Sequence, residues 1–223
     1  MDNLTNDFKN SIFTKDKTII GEYLEVGIDN FIEDGILKDI PIVSTIVSVL
    51  KVGKNIYDRN LLKQTLYFLN EFNNKTIDNK KLDKYREKIE KNPKKCQEEL
   101  QRVIFILNNN IDKEKSIFLA KLFRSYINEE IKWNEFCEYT EILNRLFIQD
   151  IEILKLIYNG TIDDTTNIED LYRVERLNSL GIIGISLKSI RMFSGNNIKQ
   201  DTRQDSYLVM SNYGKKFMNI INN

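Results

Sequence analysis

The sequence predicts a mainly α-helical protein, with an N-terminal helical bundle followed by a small C-terminal α+β module that contains a β-hairpin. Only two prolines and nine glycines interrupt the 223 residues, which favours long helices. Over residues 1–146 the apolar side chains recur at helical spacing, whereas residues 147–223 contain a helix, a glycine stop, two strands and a closing helix. That order of elements is typical of a winged-helix domain, so the two segments are assigned as separate domains.

The N-terminal segment consists of successive amphipathic stretches joined by short polar links, which is the pattern of a helical bundle. One stretch opens at Pro41, in the first helical turn, and another ends at Asn92 because a proline follows. Besides the helix that opens at Pro41, helices are predicted over 18–34, 58–72, 82–90, 97–107, 115–127 and 133–147.

The most hydrophobic stretch, residues 40–52, lies between charged flanks. A membrane-spanning helix needs about 20 apolar residues, so this stretch is too short to cross a bilayer. A buried core helix is the favoured interpretation, and transient insertion at a membrane surface or an exposed partner or oligomer face stays open as the alternative. The candidate face consists of Ile42, Val43, Ile46, Val47, Val49 and Leu50.

In the C-terminal segment, Asp150 is placed to cap a helix over 151–158. A second helix is expected over 168–180, and it ends at Gly181, which is expected to adopt a left-handed conformation. Strands over 182–193 and 207–210 then flank a polar wing, and a helix over 211–222 closes the chain. The link between the first two helices is short for the intervening helix of a complete helix-turn-helix.

Charge is balanced over the whole chain but unevenly distributed. There are 33 basic and 33 acidic residues, so no net charge attracts nucleic acid or an anionic membrane. Residues 1–40 contain nine acids and four bases, whereas residues 75–102 contain ten bases and six acids. A contact between these segments, within one chain or between two, is one interpretation, and a solvated helix surface is the favoured one. The acidic flank consists of Glu22, Glu25, Asp29 and Glu33.

The composition excludes several kinds of chemistry. With no histidine, the chain has no Ser-His-Asp or Cys-His nucleophile and no histidine metal site. Cys96 and Cys137 have neither metal-site nor disulfide-framework spacing and fit buried thiols in a reducing compartment. No glycine-rich phosphate loop occurs, and no cofactor, metal or small-molecule substrate is inferred. Because the first ten residues lack an apolar signal segment, a cytoplasmic protein is expected. Because the sequence contains no catalytic signature and no histidine, the protein is expected not to be an enzyme.

A winged-helix module suggests DNA binding, and the candidate contacts are the basic residues of its second helix and hairpin. However, residues 147–223 contain nine basic and nine acidic residues, and three of the acids crowd the second helix. Since affinity for DNA depends on neutralising phosphates, a protein-docking or structural module is the favoured interpretation. The candidate nucleic-acid contacts are Arg173, Arg176, Lys188, Arg191, Lys199 and Arg203.

Three motifs of the C-terminal segment carry a resemblance to a known group. They are Asp-x-x-Ile-Leu from Asp150, Arg-Leu-x-x-Leu-Gly-Ile-Ile from Arg176, and Tyr-Leu followed by Gly-Lys-x-Phe from Tyr207. In these the chain resembles the Abi-alpha-like helical proteins of bacterial abortive infection. The resemblance implies a role in phage defence but assigns no mechanism and no functional residue. The expected function is a non-enzymatic interaction or effector protein that binds a protein partner or itself, and a winged-helix DNA-binding regulator is the alternative.

Overall fold

The computed structural model describes residues 3–13, 40–53, 56–74, 77–165, 170–192 and 201–223. Over these residues it contains ten helices and one two-stranded antiparallel sheet, which confirms the mainly helical prediction. The chain divides into two compact units, Met1–Thr140 and Glu141–Asn223. The sequence predicts the domain boundary after residue 146, at the end of a helix. The observed division falls inside that same helix, after Thr140.

The N-terminal unit consists of six helices and most of a seventh. Its elements are α1 Asn3–Phe13, α2 Pro41–Gly53, α3 Ile56–Asn74, α4 Asn79–Lys91, α5 Pro93–Asn109, α6 Lys113–Ile127 and α7 Trp133–Arg145. Helices α2 to α7 lie where the sequence predicts helices, with ends that differ by a few residues. Helix α1 was not predicted, and the helix expected over 18–34, with its acidic flank, lies outside the described residues.

Helix α3 is the centre of the N-terminal unit and packs against α2, α5 and α6. Its Phe68 and Phe72 rings stack at 5.8 Å, and Phe123 of α6 lies within 6.1 Å of both. Such aromatic clusters supply a large part of the apolar area that a helical core buries. A buried polar link joins the same two helices, because the Ser116 hydroxyl donates to Oε1 of Gln64 at 2.7 Å.

The apolar helix α2 is a core element. Ile42, Val43 and Ile46 are only 1, 2 and 3% exposed, so they pack inside the unit and do not form an oligomer face. Val47 is half-buried, and the side chains of Val49 and Leu50 lie outside the described part of the structure. Among the described helices, none is both long and apolar enough to cross a bilayer.

The C-terminal unit contains three helices, a hairpin and the last residues of α7. Its elements are α8 Ile148–Tyr158, α9 Leu171–Ser179, β1 Ile183–Met192, β2 Asp201–Met210 and α10 Asn212–Asn222. The strands pair from Ile183↔Met210 to Met192↔Asp201. Strand β2 begins earlier than the sequence predicts, since backbone hydrogen bonds along a hairpin form with polar as well as apolar side chains. Between α8 and α9, Asp164 forms an isolated bridge with Tyr207 of β2.

The turn from α9 into β1 has the left-handed glycine that the sequence predicts. Gly181 has φ +71°, and its N–H donates to the carbonyl of Asn178 at 2.9 Å. The N–H of Ile182 donates to the carbonyl of Leu177 at 3.2 Å. These are the two hydrogen bonds of a Schellman ending, which satisfies the last carbonyls of the helix and directs the chain into the hairpin.

Candidate functional site

An ion-pair cluster around Asp150 joins α8 to α9 in the C-terminal unit. The Asp150 side chain is 0% exposed. Nη1 of Arg176 lies 2.8 Å from its Oδ1 and 2.6 Å from its Oδ2, and Nη1 of Arg173 lies 3.4 Å from Oδ1. The backbone N–H of Phe147 donates to Oδ2 at 2.7 Å, so Asp150 caps α8 from its third residue, and not from the position before residue 151 that the sequence predicts.

In this cluster the two arginines of the candidate recognition helix have a structural role. Arg173 also donates to Oδ2 of Asp170 at 2.9 Å, and the side chains of Arg173 and Arg176 are only 17% and 27% exposed. A buried carboxylate needs partners of this kind, because an unpaired buried charge is costly. Both guanidinium groups therefore bind inside the unit, and little of either is presented to a phosphate backbone.

The other four candidate nucleic-acid contacts lie on the hairpin. Lys188 and Arg191 occupy β1 and Arg203 occupies β2, but their side chains are outside the described part of the structure. Lys199 lies entirely outside the described residues. Among these six candidates, the structure thus brings Arg173 and Arg176 together through Asp150.

Two exposed aromatic rings flank Arg176. Its guanidinium carbon lies 4.7 Å from the ring centre of Phe147 and 5.7 Å from that of Tyr172, both within cation–π range. Phe147 is 58% exposed and Tyr172 is 51% exposed, and Leu171 beside it is 48% exposed. Aromatic and arginine side chains in one patch are typical of protein interfaces. We refer to Phe147, Leu171, Tyr172 and Arg176 as the aromatic patch.

A second feature, in the N-terminal unit, is a surface cavity of about 480 Å³ bordered by α4, the end of α6 and the start of α7. A volume of this size is in the range of small-molecule sites. Spacings of three and four residues place three lysines of α4 on one face of that helix. With one lysine from α5 and one that precedes α7, the five lining lysines are Lys81, Lys84, Lys88, Lys95 and Lys132.

Behind the cavity lies a buried acid, Glu99, at 1% exposure. Its Oε1 accepts from the Tyr126 hydroxyl at 2.8 Å and from Nζ of Lys88 at 3.2 Å, and Nζ of Lys95 lies 3.9 Å away. Its Oε2 is buried without a hydrogen-bond partner among the described residues. Burial, followed by the charge of Glu99, raises the pKa of Tyr126. Both phenols near Glu99 behave alike, since the same two causes raise the pKa of Tyr85.

The rim of the cavity contains a strained residue, Glu129, which has φ +59°. Helix α6 ends there in a Schellman motif, with the N–H of Glu130 donating to the carbonyl of Ser125 at 2.9 Å. Helices α8 and α9 end in the same motif with Gly160 and Gly181, both at φ +71°. A left-handed conformation at a non-glycine residue costs about 1–2 kcal/mol. Such strain is often found at functional sites.

The carboxylate of Glu129 lies 2.5 Å from Nζ of Lys84. This hydrogen bond and the charge of Lys84 lower the pKa of Glu129. Lys81 donates to the carbonyl of Asn128, and the Lys132 ammonium makes no ion pair within the described ranges. Glu129 is therefore the carboxylate that borders an otherwise cationic cavity.

Sequence reasoning recognised the basic character of residues 75–102 but favoured a solvated surface and did not infer a cavity. The signal in the sequence was the spacing of Lys81, Lys84 and Lys88, which places them on one helical face. The sequence does not predict that Lys132 and Trp133 lie close to these lysines. Of the two cysteines, Cys96 is buried, as expected, and Cys137 is half-buried; burial is the main cause that raises the pKa of the Cys96 thiol.

Comparison with known proteins gives no match: no protein-family model matches the sequence, and no curated protein or solved structure is significantly similar to it.

Proposed function

We propose that this chain is a non-enzymatic interaction protein that acts in bacterial phage defence by self-association, with a winged-helix-like C-terminal unit as the docking module. The phage-defence role rests on the sequence resemblance. The order α8, isolated bridge at Asp164, α9, hairpin and α10 supports the winged-helix-like assignment. No helix occurs in 159–165, the described part of the link between α8 and α9, in keeping with the short link noted in the sequence.

The observation that carries the proposal is the aromatic patch beside an internally neutralised arginine pair. A DNA-binding helix presents free cations to phosphates, whereas Arg173 and Arg176 are bound by Asp150. What α9 exposes near them is Leu171 and Tyr172. The exposed parts of Phe147, Leu171 and Tyr172 can pack against the same patch of a second copy across a two-fold axis. The partner proposed is therefore a second copy of this chain.

The experiment is light scattering coupled to size exclusion over a range of protein concentrations. Wild type is expected to show concentration-dependent dimerisation, and the Phe147→Ser/Tyr172→Ser variant is expected to stay monomeric. Phe105→Ser is the matched control, because Phe105 is 69% exposed but lies in the N-terminal unit. A wild-type protein that stays monomeric at high concentration overturns the proposal, as does a patch variant that still dimerises.

Duplex DNA provides the second arm of the test. Weak or absent binding at low salt is expected for wild type. Binding that falls steeply with salt and is lost in Lys188→Glu/Arg191→Glu/Arg203→Glu would instead favour a DNA-binding regulator. Arg173 and Arg176 are left unchanged in this arm, because their loss would disturb the Asp150 cluster as well as any contact with phosphate.

A further inference from the structure

Among the residues that the structure describes, the lysine-lined cavity of the N-terminal unit is bordered by more positive than negative side chains. Within the described ranges, five lysines and a single acid, Glu129, line it, although the whole chain has no net charge. Glu99 offsets part of this charge from behind. A concave site with low-dielectric walls concentrates such a field and attracts anions.

The lysines differ in the contacts that they already make within the fold. Lys81 donates to a backbone carbonyl at the end of α6, and Lys88 binds buried Glu99, so both have structural roles. The Lys84 side chain is 71% exposed and pairs with Glu129, and exposed Lys132 makes no ion pair within the described ranges. Lys84 and Lys132 are therefore the two ammonium groups best placed to bind a ligand at little cost to the fold. Ammonium groups of this kind are common partners of phosphate.

One wall of the cavity is aromatic and held in place. The ring of Trp133 stacks on buried Phe136, with centroids 5.0 Å apart and planes 19° apart. The Tyr126 ring lies 5.1 Å from Trp133, and its hydroxyl is held by Glu99. Trp133 itself is half-buried. A fixed, partly exposed indole is a surface on which a flat ring can stack, and stacking of this kind suits a nucleobase.

We propose that this cavity binds a phosphate-bearing ligand with a flat aromatic ring, which is the chemistry of a nucleoside diphosphate. The phosphates lie against Lys84 and Lys132, and the ring lies against Trp133. The volume of about 480 Å³ accommodates a molecule of that size. The site goes beyond the proposed docking function and uses residues of the N-terminal unit alone.

Glu129 has a defined role in this site. Its carboxylate binds the Lys84 ammonium, as a phosphate oxygen of the ligand would. The backbone of Glu129 is left-handed, a conformation that is unfavourable for a residue with a side chain. The bound anion displaces Glu129 from Lys84. Removing the charge of Glu129 should therefore strengthen ligand binding, whereas removing the charge of Lys84 should weaken it.

The test uses ADP, pyrophosphate and adenosine as probes with the full chain, in titration calorimetry at low salt. Trp133 is the single tryptophan, so quenching of its fluorescence reports on the same site. ADP is expected to bind, pyrophosphate to bind more weakly and compete with it, and adenosine to bind weakest. Lys84→Gln/Lys132→Gln is expected to weaken ADP binding at least about tenfold, because each lost charge-assisted contact is worth several-fold in affinity.

Two further variants keep the test independent of folding defects. Glu129→Gln is expected to tighten ADP binding about two- to fivefold, the scale of an exposed ion pair. Lys80→Gln/Lys94→Gln removes two exposed lysines that do not line the cavity and should leave binding unchanged. Absence of ADP binding overturns the proposal, as does weaker binding in Glu129→Gln or an equal loss in the control pair. Pyrophosphate binding as tightly as ADP overturns the assignment of an aromatic ligand.

Discussion

Arg176 of α9 places a single nitrogen, Nη1, within 2.8 Å of both carboxylate oxygens of Asp150 on α8. Because Asp150 is fully buried and also caps α8, this one contact fixes the start of one helix against the middle of another. A motif that in sequence suggests a basic recognition helix thus contains an arginine with a structural role. The aromatic rings that flank it, those of Phe147 and Tyr172, are exposed.

Replacing Arg176 by alanine is expected to destabilise the C-terminal unit by about 2–3 kcal/mol, because the buried Asp150 carboxylate then keeps only the longer contact to Arg173 as an ion pair, beside its hydrogen bond from the Phe147 N–H. Asp150→Asn should cost less, since it removes the buried charge itself, and Arg173 keeps its ion pair with Asp170. Denaturant unfolding of the full chain measures both changes in stability, and backbone hydrogen exchange in α8 and α9 locates them in the C-terminal unit.

Arg145→Ala is the matched control for that comparison, since Arg145 is an exposed arginine for which the structure shows no ion pair within the described ranges. Its free energy of unfolding should stay within about 0.5 kcal/mol of wild type. If Arg176→Ala is as stable as Arg145→Ala, the ion pair contributes nothing measurable and the structural role assigned to Arg176 is wrong.

The parts of the C-terminal unit that could be predicted were those fixed by neighbours in sequence. Gly181 ends α9 because a left-handed residue is needed there, and glycine adopts that conformation at low cost. The pairing of Asp150 with Arg176 spans 26 residues and depends on how two helices meet. Nothing in the local pattern distinguishes such an arginine from one that faces solvent.

Glu129→Gly is expected to raise the free energy of unfolding of the N-terminal unit by about 0.5–1 kcal/mol, because glycine relieves the left-handed strain and the lost ion pair with Lys84 is exposed. Thermal or denaturant unfolding measures the change. Glu129→Ala removes the same carboxylate but keeps a Cβ, so it should gain no stability. Equal stabilities of the alanine and glycine variants would show that φ at this position is not strained.

In the N-terminal unit too, features set by neighbouring residues could be predicted, and features set by contacts between distant helices could not. Helix α1 was missed because its polar sequence offers few apolar positions, and Phe8 and Ile12 are buried only through contacts with helices far along the chain. The lysine face of α4 could be predicted from spacing alone. That it borders a cavity depends on Trp133, which the fold brings from another helix.

Alkaline titration tests the buried phenols around Glu99. Burial raises the pKa of Tyr126 and of Tyr85 above the usual tyrosine value of about 10, so the folded state favours their neutral forms. The stability that they contribute is complete below pH of about 10 and is lost as the pH rises from there toward the folded-state pKa. Ultraviolet difference absorbance should show these tyrosines ionising only as the unit unfolds.

In Tyr126→Phe, one fewer tyrosine should ionise with the unfolding step, whereas Tyr158→Phe, in the other unit, should leave that step unchanged. The chain has ten tyrosines. If all of them ionise together near pH 10 while the circular dichroism stays native, Tyr85 and Tyr126 are not held in their neutral forms.

Gly214, in the first turn of α10, is expected to tolerate no side chain. A Cβ there would lie 2.1 Å from the carbonyl oxygen of Ile182. That carbonyl has little freedom to move, because the backbone N–H of Ser211 donates to it at 3.0 Å and the Ser211 hydroxyl at 2.8 Å. In an ordinary helix, replacing glycine by alanine stabilises by about 0.5–1 kcal/mol. At Gly214 the close contact makes the same replacement destabilising.

We therefore expect Gly214→Ala to lower the free energy of unfolding of the C-terminal unit by about 1–3 kcal/mol, the cost of overpacking against fixed atoms. Gly184→Ala is the matched control, because the nearest atom to a Cβ at that strand position is 3.9 Å away. Denaturant unfolding of both variants measures the difference. A Gly214→Ala protein as stable as wild type would mean that α10 does not rest directly on the backbone at the start of β1, and the close packing between the closing helix and the hairpin would have to be discarded.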